Sequence, residues 1–578
     1  MAKWVYLNQN NTPAKGPEGI SSALLGILSK RGISEDKIED FLSPKPQLTY
    51  DPFLLKDLSK VCERILEACR NKESICIYGD YDADGITATT VLKTVLERIT
   101  EKVCFYIPSR FVDGYGLNKT GIAYLAKQNV DLIITVDCGS TSKDEVAYAK
   151  ELGMDIIVSD HHNICPESVP DCLFVNPKRE DCEYPFKQLC GCGVSFKIAQ
   201  GIQRMLEAEG DTRFTRTDLN KLLDLVAIAT VADVVPLVDE NRSFVKYGLE
   251  MITRMQRPGL AALLKALEFN QKRFESDQIA YMLAPNINAL GRMGSARMGV
   301  ALLSSDGKDG LDLNELALNM ILNNQNRKAE QEKTRNLCYE AMKAEPCGDL
   351  CPVIYVKDAH EGVTGIVAGN FKEEFYRPVC IVTPDESGML KGTGRCIPGI
   401  NLYDMLKECD DLFARFGGHA GACGFCLYPD KVPEFRDRMQ HAVEKRVAED
   451  PDLLTEKIYI EKELSSEEKS LEFAEELALL EPYGEGNPRP LFSICRGRVI
   501  SLRFMGRDGQ HVRFTVENGD KCYVDCVLFR RAADFAGMLE RGSVIDVAGE
   551  LGINEYNGVR KLQLVVKDIR KGTDNGAD

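Results

Sequence analysis

Three aspartates stand at alternate positions in YGDYDADG, Tyr78 to Gly85: Asp80, Asp82 and Asp84. On an extended chain, alternate side chains share a face. The three carboxylates are therefore expected to converge at the end of a strand. Carboxylates that close repel one another unless a proton or a cation intervenes. A hard divalent ion such as Mg²⁺ or Mn²⁺ suits such an oxygen set. A solvated Asp-rich turn has the same spacing, so the motif alone leaves both readings open.

Further along the chain, DLIITV runs into Asp137, and DIIVS runs into Asp160, His161 and His162. Asp233 interrupts the apolar run LNKLLDLVAIATVADVVPL near its end. A buried carboxylate must be protonated, paired or metal-bound. A metal ligand is the favoured reading, because the first domain already offers a site that lacks ligands; a helix-capping or salt-bridged Asp233 is the alternative. Arg292 lies among Gly, Ser and Asn in NINALGRMGSARMG. His360 follows CPVIYVKD, Thr393 and Arg395 lie in KGTGR, and His419 lies in FGGHAGACGF. Gly-rich turns let backbone amides approach a phosphate, and an arginine can fork onto one. Plain tight turns between strands fit the same composition.

The elements that must position these residues alternate. Strands SICIYG, KVCFYI, DLIITV, DIIVS and CLFVNP are separated by helices expected near 86–99, 120–128 and 141–152. That alternation predicts a parallel sheet with crossover helices. Ligands bind such sheets at the carboxyl ends of the strands. Asp80 to Asp84, Asp137, and Asp160 to His162 all fall there. A polar helix expected over 312–345 reads as a strut between domains. A second α/β unit follows. Five short strand-like runs, RVISLRF, HVRFTVE, CYVDCVLF, SVIDVAGEL and RKLQLVV, predict a small β-barrel of the OB type. Basic residues interleave there with Phe504, Phe514, Tyr523 and Phe529, as in a groove for single-stranded nucleic acid.

At 578 residues the chain is too long for one core. Its 44% hydrophobic and 28% charged content is ordinary for a globular protein. No membrane span and no signal-peptide core are present, so a cytoplasmic protein is expected. The 21 cysteines read as buried thiols of a reducing compartment; this includes Cys190 with Cys192 and Cys423 with Cys426. A net charge of −16 argues against a simple basic nucleic-acid binder. It leaves room for an enzyme whose metals neutralise phosphate. Charge is also uneven. Residues 430–481 carry 16 acidic against 8 basic side chains, and 489–571 carry 15 basic against 10 acidic. The basic end suggests a polyanion grip.

YGDYDADG, TVDCG, SDHH and TVADVVPL, in that order, resemble the motifs of the DHH phosphoesterases. GTGR and GGHAGACGF resemble the associated DHHA1 domain. YIPSRFVDGYGLN, EPYGEGNPRPLF and the C-terminal barrel resemble the RecJ branch of that superfamily. The resemblance runs over about residues 46–570 and implies an α/β multidomain fold. Its parts are an N-terminal capping segment (1–45), a parallel-sheet DHH domain (46–310), a connecting helix (311–346), a DHHA1 domain (347–452), an OB-fold (453–572) and a tail (573–578).

The implied activity is 5′→3′ exonuclease action on single-stranded DNA, with two Mn²⁺ or Mg²⁺ ions, in repair and recombination. The implied partners are single-stranded DNA, a single-strand-binding protein and a DNA helicase, for a monomer with no membrane association. Carried over residue by residue, Asp82, Asp84, Asp137, His161 and Asp233 match metal ligands, with Asp137 bridging. His162 matches the histidine at the scissile phosphate, and Asp80 joins the catalytic cluster with Arg395. Arg110, Arg292, His360, Thr393, Arg395 and His419 are the expected contacts to DNA and its phosphates. Tyr78 stands where the pyrophosphatase relatives have a ligand histidine, Cys138 where Asn is common, and Thr393 where Ser is usual. The resemblance also admits a phosphodiesterase of short or cyclic oligonucleotides and a non-catalytic scaffold.

Overall fold

The computed structural model describes residues 2–7, 16–44, 49–109, 116–385, 388–519, 522–556 and 558–572. It divides into two compact units. One comprises Pro285–Leu302 and Asp312–Glu456, the other Ala2–Ala284, Leu303–Leu311 and Lys457–Asp578.

The larger unit begins with strand β1 (Lys3–Tyr6) and helix α1 (Ser22–Lys30). Next come β2 (Ile75–Tyr78), α2 (Ala83–Leu96), β3 (Val103–Tyr106), α3 (Lys119–Lys127), β4 (Leu132–Thr135), α4 (Lys143–Glu151), β5 (Asp155–Ser159) and β6 (Leu173–Val175). All five strands from β2 to β6 are parallel, in the order β3-β2-β4-β5-β6. β2 and β4 are buried along their whole length. Continuous Ile- and Leu-rich runs are what a sheet covered on both faces requires. The order reverses between β2 and β4. That is the topological switch point, where the crevice of an open α/β sheet lies. Three further helices, α5 (Gly191–Ala208), α6 (Leu223–Ala232) and α7 (Asp239–Thr253), pack beside the sheet.

The smaller unit carries the long helix α8 (Leu313–Ala344), then β7 (Val353–Tyr355), α9 (Glu361–Phe375), β8 (Val379–Pro384), β9 (Leu390–Arg395), β10 (Phe413–His419), β11 (Ala422–Leu427) and α10 (Val432–Glu449). Its sheet runs β10-β11-β9-β8-β7 and is mixed, with β7 and β8 parallel. In sequence, KGTGR and FGGHAGACGF read equally as phosphate loops or tight turns. They are strands, and β10 and β11 form a hairpin. Close packing explains their glycines. A Cβ on Gly392 would fall within 1.9 Å of the Phe425 ring. Nor is α8 a free strut. It buries Ala317, Met320, Asn324, Arg327, Thr334 and Cys338 as one stripe. Its polar side chains serve packing: Asn324 donates to Asn286 (3.0 Å), and Gln331 to Asn370 on α9 (2.8 Å).

In the larger unit, β12 (Lys457–Ile460) and β13 (Lys462–Glu463) lead to the barrel strands β14 (Leu491–Met505), β15 (His511–Asn518), β16 (Cys522–Leu528), β17 (Val544–Tyr556) and β18 (Val559–Lys571). The ladder β14-β15-β16-β18-β17 closes on itself through β17–β14. This is the five-stranded OB topology. The segment read as an N-terminal cap is built into this module. Leu24, Leu28, Ile38 and Phe41 share one core with Phe492, Phe514 and Ile569, and β1 pairs in parallel with β12.

A buried arginine ties these parts to the α/β sheet region. Arg242 on α7 donates to the carbonyls of Phe41 (2.8 Å), Leu480 (2.9 Å), Glu481 (2.8 Å), Leu479 (3.2 Å) and Pro482 (3.4 Å). Its guanidinium lies 3.9 Å from the centre of the Phe41 ring. Replacing it with an apolar side chain strands several buried acceptors at once. Arg242→Leu is expected to lower the unfolding free energy by about 3 kcal/mol, read from urea denaturation of the purified protein.

Candidate metal centre

The metal-competent residues come from the ends of β2, β4, β5 and α6. Asp82 is the N-cap of α2; its Oδ1 accepts from Gly85 N at 3.0 Å. Asp84 therefore lies in the first turn of a helix, not on an extended chain. That corrects the alternate-residue argument: the helix begins at Ala83, three residues earlier than Ile86. The turn brings Asp84 to the start of α5. Asp84 accepts from Gly191 N (2.6 Å) and Cys192 N (2.7 Å), the first amides of α5. Helix N-terminal amides and dipole favour a carboxylate there. Gly191 is required by the close approach of Asp137. A Cβ on it would fall 2.6 Å from Asp137 Oδ1. Asp137 itself has φ of 61°, a left-handed conformation that Asp tolerates and that turns its carboxylate back over the sheet.

Three carboxylates face one imidazole nitrogen. His161 Nε2 lies 3.1 Å from Asp137 Oδ1, 3.6 Å from Asp84 Oδ2 and 3.6 Å from Asp233 Oδ2. Asp80, Asp82 and Asp137 form an adjoining group whose ligand atoms all lie within 4.8 Å of one another. Asp137 belongs to both sets. Asp137 Oδ1 and both ring nitrogens of His161 are buried without a hydrogen-bond partner among the described residues. Buried polar atoms are ordinarily satisfied. Oxygen and imidazole donors spaced about 3 Å apart are what a divalent ion with bonds near 2 Å spans. The residues fit one ion beside His161 and a second beside Asp80 and Asp82.

The electrostatics agree. Burial pushes Asp84 up to about 7, helped by the charge of Asp82 and opposed by the two α5 amides. Burial and then the charges of Asp84 and Asp82 push Asp233 up to about 8. Asp137 is raised well above the usual carboxylate range by burial and by Asp84, Asp82 and Asp80. Burial and the neighbouring His162 lower His161 to about 3, leaving a neutral ring suited to a metal.

His162 is the opposite case. Burial pulls its imidazole down, but Asp160, bonded to Nδ1 at 2.7 Å, raises it to about 9. Burial likewise opposes ionisation of Asp160, and His162 outweighs it, holding this carboxyl far below its usual range. Asp160 also accepts from the amides of Ser140 (2.9 Å), His161 (2.7 Å) and His162 (3.2 Å). The sequence places it at the functional edge of the sheet without giving it a role. Its signal is the SDHH motif itself, whose first acid is consumed in orienting the histidines. Gly191 reads in sequence only as part of a Gly/Cys-rich turn.

Tyr78 is fully buried. Its hydroxyl accepts from Asn118 Nδ2 (2.8 Å) and donates to Gly116 O (3.3 Å). Cys138 is buried, with its thiol toward Tyr78 O. No cysteine falls in a metal-competent group among the described residues.

The smaller unit gathers a second set around the start of α9. His360 is its N-cap and accepts from Gly362 N (3.1 Å). Arg292 Nη1 donates to Gly362 O (2.9 Å). Arg395 donates to Thr393 Oγ1 (3.3 Å), and a Cβ on Gly365 would fall 2.8 Å from Arg395 Nη2. His419 ends β10, paired with Ala422, which in turn pairs with Arg395. Arg110 lies outside the described residues.

Family models match in three stretches: the DHH family N-terminal domain at 74–230, the DHHA1 domain at 351–445 and the RecJ OB domain at 460–568. The chain is 36% identical over 552 residues to the single-stranded-DNA-specific exonuclease RecJ of Bacillus subtilis (strain 168), covering 95% of this chain and 68% of that one. The chain belongs to the RecJ family. The RecJ of Salmonella typhimurium is 34% identical over 96% of this chain and 97% of its own. The fold agrees with the crystal structure of RecJ in complex with Mn²⁺ from Thermus thermophilus, with a TM-score of 0.81 and 29% identity. That match covers 99% of this chain and 80% of that RecJ. No helix among the described residues is long and apolar enough to cross a membrane.

The raised carboxyls predict how the metal-free protein responds to pH. Between pH 6.5 and 8, Asp233 keeps a proton that the unfolded chain has released, and so does His162. The folded state then binds more protons than the unfolded one, so stability falls as pH rises. The melting temperature of EDTA-treated protein should drop across this window. Added Mn²⁺ should restore it, most strongly at pH 8.

Proposed function

We propose that the chain is a metal-dependent exonuclease that degrades single-stranded DNA 5′→3′ to 5′-mononucleotides in repair and recombination. The observation that carries this reading is the convergence of Asp84, Asp137 and Asp233 on His161 Nε2, with Asp80 and Asp82 adjoining through Asp137. Asp84, Asp137, His161 and Asp233 would hold one Mn²⁺ or Mg²⁺ and Asp80, Asp82 and Asp137 a second; such ions acidify a bound water and offset charge on phosphate oxygens. Asp80, left with a less defined part by the sequence, is thereby proposed as a ligand.

The protein's own groups have distinct parts. Asp160 keeps His162 protonated near neutrality and fixes its ring through Nδ1. His162 would donate its Nε2–H to a non-bridging oxygen as charge develops there. The α5 amides hold Asp84 in place whatever its charge state. In the smaller unit, Arg292, His360, Thr393 and Arg395, at the N-terminus of α9, would receive the 5′-phosphate, with His419 contacting the strand.

The barrel would grip the strand. Phe504, Tyr523 and Phe529 are about half exposed, as stacking requires, whereas Phe514 is core. On this reading the protein acts in the cytoplasm as a monomer, with a helicase opening duplex and a single-strand-binding protein delivering substrate.

End-labelled single-stranded DNA, duplex DNA and a dinucleotide, each with Mn²⁺ and with EDTA, test the assignment. Mn²⁺-dependent release of 5′-mononucleotides from the single strand alone is expected. Cleavage of the dinucleotide alone would point to a short-oligonucleotide enzyme, and no cleavage to a scaffold. Asp137→Ala should abolish hydrolysis while retaining the wild-type circular dichroism spectrum and single-strand binding; activity surviving in this variant would overturn the metal centre. Replacing Phe504 and Phe529 together with Ala should weaken binding of a long single strand by at least about 10-fold. Hydrolysis of a single strand too short to reach the barrel should stay within twofold.

A further inference from the structure

The turn after β6 is fastened to the centre without supplying a ligand. Asn176 Nδ2 donates to Ser140 Oγ (2.9 Å) and to His162 O (2.9 Å), bolting this turn to those after β4 and β5. Asn176 Oδ1 accepts from Lys178 N (2.8 Å). The half-buried Lys178 side chain reaches Asn163 Oδ1 at 3.5 Å, and among the described residues its ammonium has no carboxylate within ion-pair distance. The contrast with its neighbour is sharp: Arg179 bonds Asp57 (2.7 Å) and Asp181 (2.8 Å).

The ammonium nonetheless lies beside the centre: its partner Asn163 directly follows His162. Burial lowers its pKa, against the pull of Asp233 and Asp160. Once divalent ions neutralise the carboxylates, that pull is gone. A half-buried ammonium then has neither an ion-pair partner nor full hydration, an unfavourable state that an incoming anion relieves. On the reading of the site as a phosphodiester hydrolase, the anion arriving beside His162 would be a phosphodiester.

We propose that Lys178 is a further substrate-binding cation of this centre, donating to a non-bridging oxygen of the first phosphodiester linkage of the bound strand. The proposal rests on reading the site as a phosphodiester hydrolase.

Two variants, Lys178→Met and Lys178→Arg, test it in the full-length protein. Lys178→Met should melt with the wild type and bind Mn²⁺ in calorimetry as tightly or more tightly, because a positive neighbour has been removed. Its kcat/KM on 5′-phosphorylated single-stranded DNA should fall on the order of 10²-fold. Lys178→Arg should recover part of the loss.

A binding measurement isolates the contact. In Ca²⁺, fluorescence anisotropy should show weaker binding of the natural strand by Lys178→Met. A strand carrying a methylphosphonate at the first linkage should bind both proteins equally. A proportionate drop in melting temperature or in Mn²⁺ affinity would make Lys178 a support of the fold or the ligands and overturn the proposal. So would an equal loss on both strands, or no loss on either. If wild-type protein degrades no single-stranded DNA with Mn²⁺, the hydrolase reading falls, while the anisotropy comparison still decides whether Lys178 contacts that linkage.

Discussion

Five carboxylates crowded at one end of a parallel sheet are the constraint that the larger unit is built around. Left in water they would separate. They are held by three fixed devices: the amides at the start of α5, the left-handed turn at Asp137, and the Asp160–His162 pair. Each is made of backbone, or of a side chain anchored to backbone, so the crowding persists before any cation arrives. This is preorganisation in the ordinary sense, in which the energetic cost of assembling like charges is met during folding. The raised carboxyls of Asp84, Asp137 and Asp233 are its measure.

Much of the arrangement was legible in the sequence. Strands of Ile, Leu and Val ending in acid or imidazole pointed to the sheet and its functional edge, because burial on both faces demands such runs. The five barrel strands were equally readable from their spacing. Three features were not. Thr- and Gly-rich ADGITATT concealed a helix start, since Asp82 rather than composition begins it. Gly-rich β9 looked like turns, because nothing local reveals that Phe425 needs Gly392 beneath it. Asp160 was placed at the right edge, but its role was hidden, since its bonds go to main chain and to His162.

The two units divide the polar work differently. In the larger one, acids converge and the cations that matter, His162 and Lys178, stand at the margin. In the smaller one, Arg292 and Arg395 lie beside the beginning of α9, where the helix dipole adds to their charge, and His360 caps the helix. A polyanion meets a chain of net charge −16 through local fields of this kind. Overall charge says little about such a protein's affinity for nucleic acid.

The pairing of β1 with β12 has a consequence for synthesis. Trp4 Nε1 donates to Asp568 across 564 residues, and the apolar face of α1 is completed only by strands at the other end of the chain. At roughly 5–20 residues per second of translation, Trp4 waits on the order of 30–110 s for its partner to be made. During that interval Leu24, Leu28 and Phe41 face solvent or a chaperone. The larger unit is therefore finished after the smaller one, although its sheet is made first.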